Sequence, residues 1–316
     1  MTIRLSRRQA LALLGIAPLA GRSTPVHGVS QAPAVARPIG IVSRHLQWTG
    51  VEDAVAVAKE AGFDAIEWNV RTGGHVAPER VEQELPRALE LTRKAGLAAT
   101  MITTSIQDAQ SPFAEPILRA AKAAGIRWYR GGEYFRYDYA RPLLPQLDAL
   151  KPRIASLVAL NQKYGTTWAY HTHSAPGMIG GGVWDIWHAI KDFDARSIGL
   201  NFDIGHATAR NGAGWIDAAT VVAPFIAALA VKDVKWERGP RGWRAEFCPV
   251  GEGMIDLTRT AGVLDRAGFS GPINIHYEYS GLLGTDLGTW TLPITRDRFV
   301  EIVRKDLDAV RQGLSS

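Results

Sequence analysis

A short phrase in which a helix ends, a glycine follows and a buried strand begins is repeated four times along this chain. The four copies read AGFDAIE from Ala61, AGLAATM from Ala95, AAGIRWY from Ala123 and KYGTTWAYH from Lys163. Glycine readily takes the left-handed conformation that closes a helix, so each copy predicts a helix C-terminus leading into a strand. A chain built from such units is expected to form a parallel sheet with helical crossovers.

Eight apolar runs predict strands, and amphipathic stretches between them predict helices. The predicted strands are Ile39–Ser43, Ala65–Val70, Ala98–Thr104, Arg127–Gly131, Thr167–His173, Ser197–Asp203, Leu229–Val234 and Ile273–Glu278. The predicted helices are Val51–Ala61, Pro78–Ala95, Glu115–Ala124, Leu144–Tyr164, Val183–Phe193, Trp215–Ala227, Asp256–Ala267 and Arg296–Gly313. This alternation predicts an α/β fold, a single-domain (β/α)8 TIM barrel. A doubly wound open sheet is the main alternative, but no G-x-G-x-x-G follows the first strand.

The N-terminal segment differs from the rest of the chain. The pair Arg7-Arg8 precedes a short apolar run from Ala10 to Ala20 and a stretch rich in small residues. This order is typical of a secretory signal, and the arginine pair resembles a twin-arginine signal. Residues 1–36 are therefore predicted to be a signal peptide recognised by the twin-arginine export machinery, and residues 37–316 the barrel. The apolar run is too short to span a bilayer, which predicts a periplasmic protein without a stable membrane anchor after cleavage.

Removal of this segment would change the charge of the protein. The whole chain has a formal net charge of +5. The segment contains four arginines and no acidic residue, so a chain starting at Arg37 would have 5 − 4 = +1. A charge this small gives no reason to expect nucleic acid as a partner. Cys248 is the single cysteine, which excludes an intrachain disulfide.

Polar side chains share one face near the C-terminal ends of five predicted strands, whereas the other face is mostly apolar. Side chains alternate between the two faces of a strand, and TIM barrels carry their chemistry at these strand ends. Buried carboxylates and imidazoles are costly unless they are paired or bind a metal, so this pattern predicts a polar barrel mouth. The residues concerned are Glu67 and Asn69, His171 and His173, Asn201 and Asp203, Lys232, and Asn274, His276 and Glu278.

Carboxylates and imidazoles that meet in one pocket suit a divalent metal ion. Asp203, Glu278 and His171 are the predicted ligands, with His173 as the alternative nitrogen donor, and the metal would polarise a sugar carbonyl or alkoxide. Glu278, Glu67 or a Lys232 with a lowered pKa would then transfer the proton. Structural alternatives remain open: Asp203 as a helix cap, His276 as a hydrogen-bonded core histidine, and Lys232 in a solvent-exposed pair with Asp233.

At this point an ordered set of motifs resembles the xylose isomerase-like, sugar phosphate isomerase/epimerase family of barrels. The set, which runs along nearly the whole chain after the predicted signal, is AGFDAIEWN, YHTHS, LNFDIGHA, VKD, PVGEGMID and INIHYEY. The resemblance implies a divalent ion, typically Mn, Mg, Co or Zn, and carboxylates that act as acid and base beside a carbonyl. It also implies that Asp203, His206 and Glu278 match functional positions of the family.

Two positions depart from the family pattern. His171 stands where many members have a metal-binding glutamate, although one branch shares the Y-H-x-H motif. Ala230 replaces the histidine of the usual H-x-K-D motif in the seventh strand. These changes put both metal binding and a two-carboxylate mechanism in question, and Glu133 is a candidate for the second carboxylate.

The leading hypothesis is therefore an exported isomerase or epimerase acting on an unphosphorylated sugar, keto-sugar or cyclitol. Glu278, Lys232 and His171 are predicted to be catalytic, and the long segment Lys235–Gly253 is expected to act as a lid. A periplasmic carbohydrate-binding barrel without activity, a metal-free lyase or dehydratase, and a phosphodiester-cleaving enzyme are the alternatives. The residues predicted to bind substrate are Glu67, His173, His206, Asn201, His276 and Trp236.

Overall fold

The computed structural model describes residues 37–132, 134–279 and 290–315. The predicted signal peptide and Glu133 lie outside these ranges. Among the described residues, no helix combines the length and the apolar character needed to cross a membrane.

Eight parallel strands close into a barrel, which confirms the predicted (β/α)8 fold. The barrel strands are β1 Ile39–Val42, β2 Ala65–Val70, β3 Met101–Thr104, β4 Trp128–Arg130, β5 Thr167–His171, β6 Ile198–Asp203, β7 Ile226–Val231 and β10 Ile273–Ile275. Strands β1 to β7 are neighbours in chain order, and β10 closes the barrel by pairing with both β7 and β1. All the strand ends that were predicted to carry polar groups therefore face one barrel mouth.

The helices surround this barrel. They are α1 Val51–Ala61, α2 Val81–Lys94, α3 Ala114–Ala123, α4 Leu143–Asp148, α5 Lys151–Tyr164, α6 Trp184–Ile190, α7 Ile204–Asn211, α8 Trp215–Val222, α9 Leu257–Arg266 and α10 Arg296–Leu314. The predicted helix Leu144–Tyr164 is in fact two helices, because Pro152 lies in the first turn of α5 and favours a new helix start there. Helix α7 was not predicted, and it begins directly where β6 ends.

A two-stranded antiparallel hairpin, β8 Asp233–Gly239 and β9 Gly242–Cys248, follows β7. It occupies most of the segment that was predicted to be a lid loop. The buried Asp233 carboxylate accepts hydrogen bonds from the backbone N–H groups of Gly251, Gly253 and Ile255 at 2.9, 3.0 and 3.1 Å. Asp233 therefore fixes the return of the chain from this hairpin and does not form the solvent-exposed pair with Lys232 that was considered.

The alternation of side chains along the strands decides what each face contacts. Leu200 and Phe202 of β6, like Ile66 and Trp68 of β2, are fully buried members of the apolar core. Complete burial of a large apolar side chain contributes roughly 1.5–3 kcal/mol. Trp68 also places its indole N–H 3.0 Å from the hydroxyl oxygen of Thr92 in α2. The side chains on the other face of the same strands point into the barrel.

Candidate active site

Asp203, the last residue of β6, has two roles at once. Its Oδ1 accepts the backbone N–H of His206 at 2.8 Å, so it caps helix α7. Its Oδ2 faces the barrel mouth, 3.4 Å from His171 Nε2. Gly205 follows in the first turn of α7, where a Cβ atom would lie 2.5 Å from the Lys232 carbonyl oxygen. Glycine thus lets α7 pack directly against the residue that follows β7.

Lys232 lies between two carboxylates. Its Nζ is 3.1 Å from Asp203 Oδ2 and 2.7 Å from Glu278 Oε2, and its side chain is only 1% exposed. Burial alone would lower the pKa of Lys232, but Asp203 and Glu278 outweigh it and raise that pKa. The expected lowered pKa of Lys232 is therefore wrong: the side chain is a fixed cation and not a proton acceptor at neutral pH.

The two carboxylates of this group differ from each other. Burial raises the pKa of Asp203 to about 6, even though Lys232 is near. Burial also acts to raise the pKa of Glu278, but the charge and hydrogen bond of Lys232 dominate and lower it. Glu278 is also the more accessible, with 23% of its side chain exposed against 0% for Asp203. Glu278 is thus an ionised carboxylate that a bound molecule can reach.

Four histidines surround this charged group. The rings of His171 and His276 stack with centroids 5.1 Å apart, and those of His173 and His206 are 3.8 Å apart. Burial and the neighbouring cations lower the pKa of His171, His206 and His276 well below the usual value. Burial, followed by Lys232, lowers the pKa of His173 to about 4. All four imidazoles are therefore neutral at pH 7.

The hydrogen bonds of the imidazoles determine which ring nitrogen carries the proton. The backbone N–H of Ala175 donates to His173 Nδ1 at 3.1 Å, so the neutral ring holds its proton on Nε2. His171 Nδ1 lies 3.0 Å from the amide nitrogen of Asn201. Donation from that amide places the His171 proton on Nε2, whereas a rotated amide would accept from Nδ1–H and leave Nε2 free.

Two groups of side chains in this cluster fit a divalent metal. One consists of His171, Asp203 and His206, the other of His173, His206 and Glu278, and in each the ligand atoms lie within 4.8 Å of one another. Among the described residues, the buried Nε2 atoms of His171 and His206 have no hydrogen-bond partner. His171 Nε2 can bind a cation when the Asn201 amide accepts from Nδ1–H. His206 belongs to both groups. Of the predicted ligands, Asp203 and His171 therefore fall in one group with His206, whereas Glu278 falls in the other group.

Glu67 and Asn274 lie deeper in the barrel. Glu67 is fully buried, accepts a hydrogen bond from the Thr103 hydroxyl and accepts another from the Asn274 amide at 2.7 Å. Burial raises its pKa. Both oxygens of Glu67 therefore accept from protein donors, and the charges that act on it are those of Arg130 and Arg71.

The hairpin contributes an aromatic side chain, although not the predicted one. Phe247 of β9 packs against His206, with ring centroids 5.2 Å apart, and its ring lies 4.9 Å from Lys232 Nζ. Trp236 of β8 shares this face of the hairpin but is 41% exposed, two residues farther along the strand. Phe247 therefore covers the charged cluster directly, while Trp236 projects beyond it.

Sequence analysis did not identify a second polar group at the same barrel mouth. A cavity of about 640 Å³ is lined by Ser105, Gly132, Tyr134 and four arginines. The Tyr134 ring contacts His173, with centroids 4.7 Å apart, so the cavity adjoins the histidine cluster. A search for charged residues within a few positions of each predicted strand end would have found these arginines. The lining arginines are Arg44, Arg71, Arg130 and Arg136.

Comparison with known proteins agrees with this architecture. The profile of the xylose isomerase-like TIM barrel family matches residues 55–298, so the chain belongs to that family. No curated protein gives a significant match.

Solved structures show the same fold at low sequence identity. An L-ribulose 3-epimerase is 18% identical and superposes with a TM-score of 0.63. The aligned region covers 88% of this chain and 94% of the epimerase chain. The 3-keto-D-glucoside 4-epimerase YcjR from E. coli is 14% identical, with coverages of 87% and 99% and a TM-score of 0.61. The IOLI protein with a bound zinc atom is 13% identical, with coverages of 88% and 100% and a TM-score of 0.63.

Proposed function

We propose that this protein is an exported isomerase or epimerase of a sugar, keto-sugar or cyclitol that moves a proton on the carbon next to a carbonyl. Glu278 carries the proposal. It is the accessible carboxylate of the cluster, Lys232 keeps it ionised at 2.7 Å, and neutral imidazoles surround it. An ionised carboxylate at the edge of a pocket is suited to act as a general base.

In the proposed reaction, Glu278 takes a proton from the carbon beside the carbonyl, and the C–H electron pair moves to the carbonyl oxygen as an enolate. The Nε2–H of His173 is the proposed donor to that oxygen. Return of the proton to the neighbouring carbon, with transfer of the hydroxyl proton between the oxygens, would isomerise the sugar. Return to the opposite face of the same carbon would epimerise it. Lys232 holds Glu278 and Asp203 in place and keeps the local charge balanced throughout.

A divalent metal belongs to this proposal. When bound, it would act as a Lewis acid that polarises the carbonyl of the substrate. His171, Asp203 and His206 are the residues proposed to hold it, and the likeness to a zinc-bound barrel supports this assignment. Asp203 would then be shared between the metal and Lys232, which orders the carboxylate from two sides.

Export is the remaining element of the proposal. The twin-arginine-type segment at residues 1–36 supports delivery of the folded protein to the periplasm. Fractionation of cells that express the full chain tests this, with Arg7→Lys combined with Arg8→Lys as the variant. Retention of the variant in the cytoplasm is expected, whereas wild-type protein found only in the cytoplasm would refute export.

The decisive test is exchange of carbon-bound hydrogen with solvent. The purified, Mn²⁺-loaded protein is incubated in D₂O with a panel of keto-sugars and cyclitol ketones, and deuterium beside the carbonyl is followed by NMR. We expect incorporation by the wild type and a loss of about 10³-fold in Glu278→Gln, within the range for removal of a general base. Glu237→Gln, an exposed hairpin carboxylate, is the matched control.

The products of this test separate the proposal from its alternatives. Deuterium incorporation together with a rearranged sugar product supports isomerisation or epimerisation. Exchange accompanied by loss of water would assign an elimination that shares the first step. Saturable binding of a panel member without exchange in any condition would refute the enzyme and leave a carbohydrate-binding barrel.

A further inference from the structure

Four arginines meet at one side of the barrel mouth because they follow three strands of the first half of the barrel. Arg44 lies in the turn after β1, and Arg71 directly follows β2. Arg130 ends β4, and Arg136 lies in the loop after it. All four line the cavity of about 640 Å³, a size typical of small-molecule pockets.

Two of these guanidinium groups, those of Arg71 and Arg130, bond neutral oxygens of the protein. Arg71 donates to the backbone carbonyls of Thr104 and Gly131, both at 2.8 Å. Arg130 donates from Nη2 to the Tyr134 hydroxyl at 3.0 Å. Within the described part of the chain, no carboxylate oxygen lies within 4.0 Å of Arg71, Arg130 or Arg136.

Arg130 has a buried donor that the described residues leave unused. Its side chain is more than nine-tenths buried, and its Nε–H has no hydrogen-bond partner among the described residues. Burial, followed by the positive charges of Arg130 and Arg44, lowers the pKa of Arg71 to about 9. Like charges held close together, with Arg130 buried among them, repel one another unless an anion offsets them. Burial acts to lower the pKa of Arg130, but Tyr134, Glu67 and Glu278 outweigh it and raise that pKa. Neither carboxylate bonds the guanidinium directly: Glu67 is held by Thr103 and Asn274, and Glu278 by Lys232.

We infer that the arginine cavity binds an oxyanion group of the substrate, so that the enzyme acts on an acidic sugar derivative bearing a carboxylate, sulfate or phosphate. This inference rests on the proposed function, because it names the class of substrate for the same active site. Planar guanidiniums bind carboxylate and phosphate oxygens in paired hydrogen bonds. Tyr134 joins the two regions: it accepts from Arg130 and packs on His173. The anionic end would lie among the arginines and the reacting carbon near Glu278.

The inference can be tested without turnover. Isothermal titration of the purified full chain with inorganic phosphate, inorganic sulfate and D-galacturonate measures binding in low-salt buffer. Arg136→Gln is the first variant, because Arg136 is exposed and its loss leaves the barrel intact. Arg130→Lys is the second, since it keeps the charge but removes the unpartnered Nε–H. Arg259→Gln removes an exposed arginine from α9, outside the cavity, and is the matched control.

Binding of at least one probe by the wild type is expected, weakened about tenfold in each cavity variant and unchanged in Arg259→Gln, as for loss of one charge-assisted hydrogen bond. The probe that binds most tightly identifies the anion: galacturonate a carboxylate, the inorganic ions a tetrahedral group. No binding, or equal binding in all four proteins, overturns the inference. If the arginines bind the probe but no substrate exchanges deuterium, the proposed function is refuted and the anion site is retained. If neutral sugars are turned over and the cavity variants have no effect, this inference fails alone.

Discussion

Two sides of the same barrel mouth differ in how their positive charges are neutralised. The lysine side lies at the ends of β5, β6, β7 and β10, and the arginine side at the ends of β1, β2 and β4. On the first side Lys232 lies within ion-pair distance of two carboxylates, those of Asp203 and Glu278. On the second side Arg71 and Arg130 bond only neutral oxygens of the described chain. A cluster whose positive and negative charges balance suits catalytic groups that are preorganised before the substrate binds. A cluster with excess positive charge suits recognition of an anion.

Loss of a positive charge should therefore have very different consequences on the two sides, with the largest effect at Lys232. Lys232→Met leaves a buried carboxylate beside a second one without their shared cation. We expect a loss of about 3 kcal/mol in the free energy of unfolding at pH 7, because an uncompensated buried charge costs roughly 3–5 kcal/mol. The pKa of Asp203, already raised to about 6, lets protonation limit that loss.

Urea denaturation followed by circular dichroism measures this effect. Lys235→Met is the control, because its pair with Glu237 lies at the surface and is expected to contribute no more than about 1 kcal/mol. Equal stability of the two variants would show that Lys232 does not hold the carboxylates in place.

Acid should weaken the histidine side and leave the arginine side charged as before. The pKa values of His171, His173, His206 and His276 are lowered in the folded protein, so their contribution to stability is complete above pH 6.5 and is lost as the pH falls. The raised pKa of Asp203, to about 6, acts in the opposite direction: its contribution grows as the pH falls from 6 towards 4.

Burial also raises the pKa of Asp306 to about 6, so this carboxyl acts in the same direction as Asp203. The four histidines outweigh both, and the unfolded state should bind about two more protons than the folded state between pH 6 and 5. This corresponds to a decline of about 3 kcal/mol per pH unit. Denaturant unfolding at half-unit steps of pH in the presence of EDTA measures the slope, with His173→Asn expected to reduce it by about one proton. A flat profile in this range would mean that the histidines are already charged in the folded protein.

Metal binding offers a comparison within the histidine side. His206 belongs to both candidate ligand groups, whereas His276 belongs to neither, although both are buried. His206→Asn should weaken Zn²⁺ binding by at least about tenfold, or about 1.4 kcal/mol, and His276→Asn should retain it. Competition with a chromophoric zinc chelator measures both affinities. Equal loss in the two variants would indicate a general collapse of the cluster and not a ligand role.

The contrast between the two sides also explains what could be read from the sequence. The glycine after each helix and the alternating strand faces predicted the barrel and placed Asp203, Lys232 and Glu278 together, because those patterns depend on local geometry. The raised pKa of Lys232 could not be predicted, since it depends on carboxylates 29 positions before and 46 positions after it in the chain. Phe247 was missed for a related reason: its contact with His206 requires the hairpin, and Lys235–Gly253 was interpreted as a loop.

The smallest expected effect is the one that most sharply separates the two sides. Arg136→Gln removes a cation from a group of like charges, so the free energy of unfolding should stay within about 0.5 kcal/mol of wild type or rise slightly. Inorganic phosphate should then stabilise wild type against thermal unfolding more than the variant, because a ligand that binds only the folded state stabilises in proportion to its affinity. Thermal scans with and without phosphate, with Arg259→Gln as the control, measure both quantities. A clear destabilisation by Arg136→Gln without phosphate would show that this arginine already has a negative partner within the protein, and the arginine side would then be balanced like the lysine side.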